Sequence, residues 1–174
     1  MITTILLALK ILNLNRISYY EDVWKRVLIM KNKSLVGNEV IVFLLNYKNQ
    51  ILLQKRSEFE KHNPNKWSIC AGHVEKCDSS LESAVVREVK EELNADILEE
   101  KLIELNLEEP HTAHFYYTYI NKTEKDFILQ KEEVSEVKWY DIDVAINMME
   151  SNDGSIITSP RILKLLKKLN NKSL

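Results

Sequence analysis

The chain has 174 residues, a length at which one domain buries about 70% of the surface that the unfolded chain exposes. Hydrophobic residues make up 45% and charged residues 29% of the sequence, a composition that indicates a folded globular protein and excludes an intrinsically disordered one. The formal net charge is -2, from 24 basic and 26 acidic side chains. This balance gives no broad positive field, so we expect no stable nucleic-acid partner.

Three glycines, three prolines and the lack of repeats leave no signal for a linker between two domains. We therefore predict one domain over residues 36–174, with residues 1–35 as an N-terminal extension packed on it. The apolar segment 2–14 is interrupted by Lys10 and is too short to span a bilayer. The two cysteines lack a second pair for a zinc site and indicate a reducing compartment. We expect a cytoplasmic monomer or homodimer with no membrane partner.

In chain order, the predicted elements are two strands that form a hairpin (39–45 and 51–56), a third strand (67–71), a long helix (80–93), three more strands (102–107, 114–120 and 136–140) and two helices (142–149 and 160–169). The strands are apolar or β-branched runs bounded by turn residues. The long helix has Ser79 or Ser80 as its N-cap and Asn94 as its left-handed C-cap, and Ser159 precedes a proline at the start of the last helix. Strands and helices mix without strict alternation, which predicts an α+β sandwich or mixed α/β domain.

The long helix has an apolar stripe bordered by three carboxylates. With Leu81 at zero and 100° per residue, the apolar side chains fall between 0° and about 140°. Glu91, Glu88 and Glu92 fall at about 280°, 340° and 20°, so they sit at the rim of the core rather than opposite it. Because like charges at this spacing repel one another, a positive group is expected beside them.

Two positive groups are available to these glutamates. Arg87 precedes Glu91 by one helical turn and is able to pair with it, and a hard divalent cation prefers carboxylate oxygens as ligands. A solvated acidic face with ordinary ion pairs to Arg87 and Lys90 would have the same pattern. The local pattern alone therefore leaves both interpretations open.

The wider context favours a metal site. Residues 72–93, GHVEKCDSSLESAVVREVKEEL, resemble the Nudix box, in which a glycine-started loop leads into a helix with Arg-Glu-apolar-x-Glu-Glu. The flanking segments LQKR at 53–56 and AGHVE at 71–75 are similar to the branch of that superfamily that resembles isopentenyl-diphosphate isomerase.

The resemblance implies an α/β/α sandwich around a mixed β-sheet and a hydrolase that uses Mg²⁺ or Mn²⁺. Glu88, Glu91 and Glu92 would be the metal ligands, and Arg87 would orient a glutamate of the set. A glutamate from a later loop would complete the site; the first candidate is Glu133, with Glu132 and Glu136 as alternatives.

The implied reaction is cleavage of a diphosphate linkage in a nucleoside diphosphate derivative or a related small molecule. Such a reaction needs neutralisation of phosphate charge and an activated water, and bound cations supply both. Glu91 and Arg87 are the predicted catalytic residues. Lys55, Arg56 and Gly72 are the predicted substrate-binding residues, although a basic pair at a strand end is also typical of a solvated surface.

The chain departs from the family pattern at four places. Ala71 replaces the first of two glycines, Asp78 replaces the loop glutamate, and Asn94 replaces the glycine after the helix. Eight residues separate Asp78 from Arg87, where the pattern has seven. The extra residue is expected to shift Asp78 but to leave the helix glutamates in register, so we expect metal binding to persist and substrate geometry to differ.

Two other functions agree with the sequence. Isopentenyl-diphosphate isomerase uses a cysteine directly before Gly-His, whereas Cys70 stands one residue earlier. On a strand Cys70 would face the opposite side, so we interpret it as a small buried residue. A noncatalytic nucleotide-binding or regulatory module would instead use the aromatic run 115–119 and the helix at 161–168 as a binding surface.

Overall fold

A computed structural model describes residues 35–106 and 113–171. The predicted N-terminal extension lies outside the described residues apart from Leu35, which packs against the core, so the division at residue 35 stays a prediction. Within the described ranges, no helix has the length and apolar content needed to cross a bilayer.

One mixed sheet forms the centre of the described part of the chain. Its seven strands are β1 (Glu39–Leu45), β2 (Gln50–Arg56), β3 (Trp67–Ser68), β4 (Cys70–His73), β5 (Ile103–Glu104), β6 (Ala113–Tyr119) and β7 (Val134–Asp141). The helices are α1 (Leu81–Leu93), α2 (Ile142–Ser151) and α3 (Pro160–Asn170). The pair β1 and β6 is parallel, and the other strand pairs are antiparallel.

The sheet opens between β1 and β2. These strands pair next to their shared turn, where Leu45 lies opposite Ile51, and further along other strands come between them. β4 pairs with β1, with Cys70 opposite Val42, and β3 pairs with β2, with Trp67 opposite Lys55. The start of β1 and the end of β2 therefore flank an opening in the sheet.

Helices cover both faces of the sheet. On one face, α1 packs against alternate residues of β1, including Val40 and Val42. On the other face, α2 and α3 pack against the intervening residues, including Ile41 and Phe43. Burial on both faces explains why β1 is apolar throughout instead of alternating. The predicted α/β/α sandwich around a mixed sheet is confirmed.

The boundaries of α1 agree with the sequence prediction. Ser80 is the N-cap, its side chain accepts a hydrogen bond from the backbone N–H of Ser83, and Asn94 has the left-handed backbone conformation, with φ of 48° and ψ of 38°. Ser159 caps α3 in the same way, with proline in the first turn. These helices were predictable because their caps and periodicity are local features.

Three strand predictions need correction. The predicted strand 67–71 is wrong as a single element, because Trp67 and Ser68 pair with β2 whereas the chain from Cys70 onward pairs with β1. Strand 102–107 is reduced to Ile103–Glu104, and strand 136–140 extends to Val134–Asp141. Strand ends depend on distant partners, which the local sequence does not specify.

Candidate active site

The opening between β1 and β2 contains a cavity of about 380 Å³ with an acidic lining. Among the described residues, seven glutamates and two arginines line this cavity. Four of these glutamates are the predicted metal ligands: Glu88, Glu91, Glu92 and Glu133. The split in the sheet therefore brings the helix glutamates and the loop glutamate to one place.

α1 places the three candidate metal ligands among its glutamates at different depths. Glu92 is 4% exposed, whereas the side chain of Glu88 is 13% exposed and that of Glu91 is 53% exposed. This order follows their angular distance from the apolar stripe. Glu88 lies at the rim of the core, as predicted, whereas Glu92 is buried and Glu91 extends into solvent.

Arg87 connects two of the glutamates to the preceding loop. Its Nη1 donates to Oε1 of Glu88 and to Oε2 of Glu91, both at 2.9 Å, and its Nη2 donates to the carbonyl oxygen of His73 at 2.8 Å. Its hydrogen bond to Asp78, followed by the acidic neighbours, raises the pKa of Arg87 above its ordinary value. The planar guanidinium fork thus orients Glu88 and Glu91, which is the role expected for Arg87.

Asp78 keeps its contact with Arg87 despite the extra residue. Arg87 donates from Nε to Oδ1 and from Nη2 to Oδ2 of Asp78, both at 3.0 Å. Burial alone would raise the pKa of Asp78, but hydrogen bonds from Arg87 and from a loop N–H hold it below its ordinary value. In the segment that contains the extra residue, the N–H groups of Ser79 and Ser80 both donate to Oγ of Ser83. Asp78 thus lies within hydrogen-bond distance of Arg87, and the predicted shift of Asp78 relative to the ligands stays a prediction.

Glu92 is held by two neutral donors. Its Oε2 accepts hydrogen bonds from Nε2 of Gln54 and from Sγ of Cys70, both at 3.0 Å. Burial, with the charges of Glu88 and Glu133, raises the pKa of Glu92 to about 7 although both hydrogen bonds oppose the shift. Burial and the charge of Glu92 keep the pKa of Cys70 well above its ordinary value. A buried carboxylate with such a pKa, at a cavity wall, is typical of a functional site.

Gly72 provides the space that Glu88 occupies. A Cβ atom at this position would lie 1.9 Å from Cδ and 2.0 Å from Oε1 of Glu88. Burial raises the pKa of Glu88 above its ordinary value, with Arg87 opposing this shift. Gly72 was predicted to bind substrate. It lines the cavity, and the space beside it is filled by Glu88, a candidate metal ligand.

Glu133, directly before β7, reaches the cavity from another side. Its Oε1 accepts a hydrogen bond from Gln130 at 3.0 Å. Burial, together with the charges of Glu60 and Glu91, raises the pKa of Glu133. Of the two alternative candidates, Glu136 lines a different cavity, and Glu132 is exposed and outside the cavity lining.

The two basic residues at the end of β2 are separated. Arg56 lines the acidic cavity and forms an ion pair with Glu60 at 2.7 Å. Lys55 lines a neighbouring cavity of about 480 Å³, together with Phe59 and Lys131. Successive residues of a strand point to opposite sides, so the structure does not bring Lys55 to the carboxylates.

The donor set fits a hard divalent cation, because it consists of carboxylate oxygens that repel one another and are partly buried. In their present positions, no three acidic, histidine or cysteine side chains in the described ranges are close enough to hold one ion. Hydrogen bonds hold these carboxylates in their present positions. Arg87 holds Glu88 and Glu91, while Glu92 is held by its own donors.

Sequence reasoning missed the role of Gln54 and the contact made by Cys70. Cys70 is buried, as predicted, and lies on the opposite side of β4 from Ala71, which lines the cavity. Its hydrogen bond to Glu92 was not foreseen. For Gln54 the signal in the sequence was a polar residue directly after an apolar run. In the structure its side chain is 4% exposed and continues the buried part of β2.

Comparisons with known proteins identify the family. The family model described as NUDIX domain matches residues 36–159. The isopentenyl-diphosphate Delta-isomerase of Aliivibrio fischeri strain ES114 is 31% identical over 127 residues, which is 66% of this chain and 70% of that protein. An isopentenyl-diphosphate Delta-isomerase 2 of Photorhabdus laumondii is 28% identical over 119 residues, or 63% of this chain and 65% of that protein.

Solved structures share the fold. The MutT protein from Methanosarcina mazei Go1 has a TM-score of 0.52 at 24% identity, covering 77% of this chain and 91% of that one. The Nudix domain of Shewanella oneidensis NrtR, complexed with ADP ribose, has a TM-score of 0.57 at 19% identity, covering 78% of this chain and 87% of that one. These identities support the fold alone, whereas the family model spans most of the chain and supports the prediction of an enzyme. The chain belongs to the Nudix family.

Proposed function

We propose that the protein is a metal-dependent Nudix hydrolase that cleaves a diphosphate linkage in a nucleoside diphosphate derivative or a related small molecule. The observation that carries this proposal is the shared cavity of Glu88, Glu91, Glu92 and Glu133. In this proposal the enzyme is a cytoplasmic monomer or homodimer, and its two free cysteines agree with a reducing compartment.

The charge of the cavity supports a requirement for cations. Seven carboxylates against two guanidinium groups repel a diphosphate, which carries negative charge itself. When bound, Mg²⁺ or Mn²⁺ would neutralise phosphate oxygens and lower the pKa of the attacking water. The acidic cavity is therefore suited to a substrate that arrives with divalent cations.

We assign the cation to Glu88, Glu91, Glu92 and Glu133. Arg87 holds Glu88 and Glu91 through hydrogen bonds at 2.9 Å and would orient both carboxylates for a bound cation. Its bidentate pair with Asp78 keeps it beside the cavity. Glu91 is the most exposed of the helix glutamates, so we assign it to accept the proton of the attacking water.

The basic side chains have different roles in this proposal. Arg56 lines the acidic cavity and exchanges its partner Glu60 for phosphate oxygens of the substrate. Lys55 faces the neighbouring cavity, so it contacts only a substrate that extends beyond the diphosphate.

The test is a substrate panel with Mg²⁺ or Mn²⁺, containing ADP-ribose, diadenosine tetraphosphate and isopentenyl diphosphate, with products separated by chromatography. We expect cleavage of a P–O–P bond in at least one of these compounds. We expect Glu91→Gln and Glu92→Gln each to lower kcat/KM at least about 100-fold. Glu99→Gln is the matched control, because Glu99 begins an exposed 3-10 turn at Glu99–Lys101.

The outcomes separate the possibilities. Full activity in both Glu91→Gln and Glu92→Gln would contradict the assigned site. A protein that neither binds Mn²⁺ nor turns over any diphosphate would instead be the noncatalytic module considered from the sequence.

Isomerisation of isopentenyl diphosphate is the second candidate, favoured by the 31% identity to an isomerase. The geometry is less favourable to it, because Ala71 rather than Cys70 lines the cavity. Isomerised product without phosphate release would establish this activity. Release of phosphate would favour hydrolysis.

A further inference from the structure

The contacts of Glu92 differ from those of Glu88 and Glu91. Arg87, a cation, satisfies Glu88 and Glu91, whereas two neutral groups satisfy Glu92. Both neutral donors bind the same oxygen, Oε2. Among the described residues, both side-chain hydrogen bonds to Glu92 are made at Oε2, and Glu92 lines the acidic cavity.

The two donors come from separate strands and are themselves fixed. Gln54 belongs to β2 and Cys70 to β4, on the two sides of the sheet opening. They are 4% and 3% exposed, respectively. A buried side chain has few alternative rotamers, because the close-packed interior excludes them. The position of Oε2 is therefore set by the sheet.

Gln54 adopts its orientation at a cost. Its Nε2 donates to Glu92, but its Oε1 is buried without a hydrogen-bond partner. A buried unsatisfied acceptor is unfavourable, and in a native structure it requires an explanation. The contact with Glu92 supplies one, since the amide has to present Nε2 to the carboxylate and thereby leaves Oε1 in the core.

The neutrality of the donors has a consequence for cation binding. A lysine or arginine in place of Gln54 or Cys70 would neutralise Glu92 and compete with a cation. An amide and a thiol stabilise the buried carboxylate by hydrogen bonding and leave its charge in place. Groups that hold a ligand in this way affect metal affinity although they do not touch the metal.

We propose that Gln54 and Cys70 are positioning residues that hold Oε2 of Glu92 and keep Oε1 available to a divalent cation in the cavity. This inference rests on the proposed function, because it requires Glu92 to be a metal ligand. It assigns Cys70 a role through its S–H donor, distinct from nucleophilic or acid catalysis.

The experiment measures Mn²⁺ binding to the full chain without substrate, by electron paramagnetic resonance and calorimetry. Gln54→Met and Cys70→Ala are each expected to raise the Kd for Mn²⁺ by about 10- to 100-fold. Cys70→Ser keeps a donor and is expected to stay near the wild-type Kd. Gln50→Met and Cys77→Ala are the matched controls, because Gln50 donates to Asp141 and Cys77 is exposed.

Thermal unfolding in EDTA separates positioning from general destabilisation. A structural role alone would lower the unfolding temperature and leave the Kd of the folded protein unchanged, which would overturn the proposal. It would also be overturned if Cys70→Ser weakened binding as much as Cys70→Ala. If Cys70→Ala does not fold, Gln54→Met decides the question. If the wild-type protein binds no Mn²⁺, the proposed metal site itself is refuted. If all variants bind Mn²⁺ as tightly as the wild type, the positioning role of Gln54 and Cys70 is refuted.

Discussion

Because Gly72 has no side chain, the carboxylate of Glu88 can pack against its backbone. The substitution Gly72→Ala places a Cβ atom where the side chain of Glu88 now packs. Because the end of a glutamate side chain is flexible, we expect Glu88 to move, with a stability loss below about 1 kcal/mol. Diphosphate hydrolysis should fall at least about tenfold, since Glu88 leaves its position. Steady-state kinetics and urea unfolding measure the two effects.

Gly154→Ala is the control in which stability, rather than activity, should change. Gly154 has a φ of 79° and open space around it, so alanine there is strained by about 1 kcal/mol but lies outside the acidic cavity lining. We expect lower stability with unchanged activity. Equal losses of activity in the two variants would contradict the role of Gly72.

The buried carboxyl of Glu92 makes a prediction about pH in the metal-free protein. Its pKa is about 7 in the folded state against an ordinary value of 4.5. Between these two values the folded protein holds a proton that the unfolded chain has lost. The free energy of unfolding therefore falls as pH rises through this window, by at most about 3 kcal/mol from this group.

Chemical denaturation in EDTA from pH 4.5 to 7.5 tests this sign. Glu92→Gln removes the titration, so the difference in unfolding free energy between wild type and variant should decrease with rising pH. A difference that is independent of pH would refute the assigned shift. The comparison is needed because Asp78, whose pKa is lowered, contributes in the opposite direction at more acidic pH.

At the scale of elements, Asp78 ties the loop after β4 to α1. The bidentate pair with Arg87 is partly buried, and Asp78→Asn removes the loop carboxylate from a guanidinium that also contacts Glu88 and Glu91. We expect a loss of about 2–4 kcal/mol in unfolding free energy and lower activity, because Arg87 also orients Glu88 and Glu91. Urea denaturation and kinetics at one fixed Mn²⁺ concentration check both.

Asp96→Asn is the matched control for this prediction. Asp96 pairs with Lys90 at 2.8 Å at the surface, where solvent screens the interaction. No measurable loss of stability is expected. If Asp78→Asn were equally neutral, the pair with Arg87 would be a surface contact rather than the connection between loop and helix.

For the whole molecule, cation binding should raise stability. The four assigned ligands come from α1 and from the segment before β7, so the binding site exists only in the folded state. At a Mn²⁺ concentration of 100 times Kd, linkage predicts about 2.7 kcal/mol of added stability. Differential scanning calorimetry should show a rise of several degrees over protein in EDTA.

The double variant Glu91→Gln with Glu92→Gln should lose most of this rise. A similar rise in this variant would place the cation elsewhere. The same scans with Ca²⁺ would show whether any divalent cation suffices, since Ca²⁺ accepts longer and more flexible oxygen coordination.

Local features of the sequence determined α1 and its chemistry. The caps Ser80 and Asn94 and the 3.6-residue period need no distant partner, so the helix, its ends and the depth of its glutamates were all predictable. The ligand types are equally explicit in the sequence, because carboxylates in this arrangement repel one another and need a positive partner. The burial of β1 on both faces also agrees with its continuous apolar run.

Tertiary structure alone decided which residues share the cavity. The departure of β2 from β1 depends on the pairing of β3 and β4 with different strands, and this nonlocal choice breaks the predicted strand at Ile69. The same pairing directs Lys55 away from the acidic cavity and brings Glu133 to it. It also places the donors of Gln54 and Cys70 against one oxygen of Glu92. Such contacts depend on the packing of distant segments, which residue spacing along one chain does not encode.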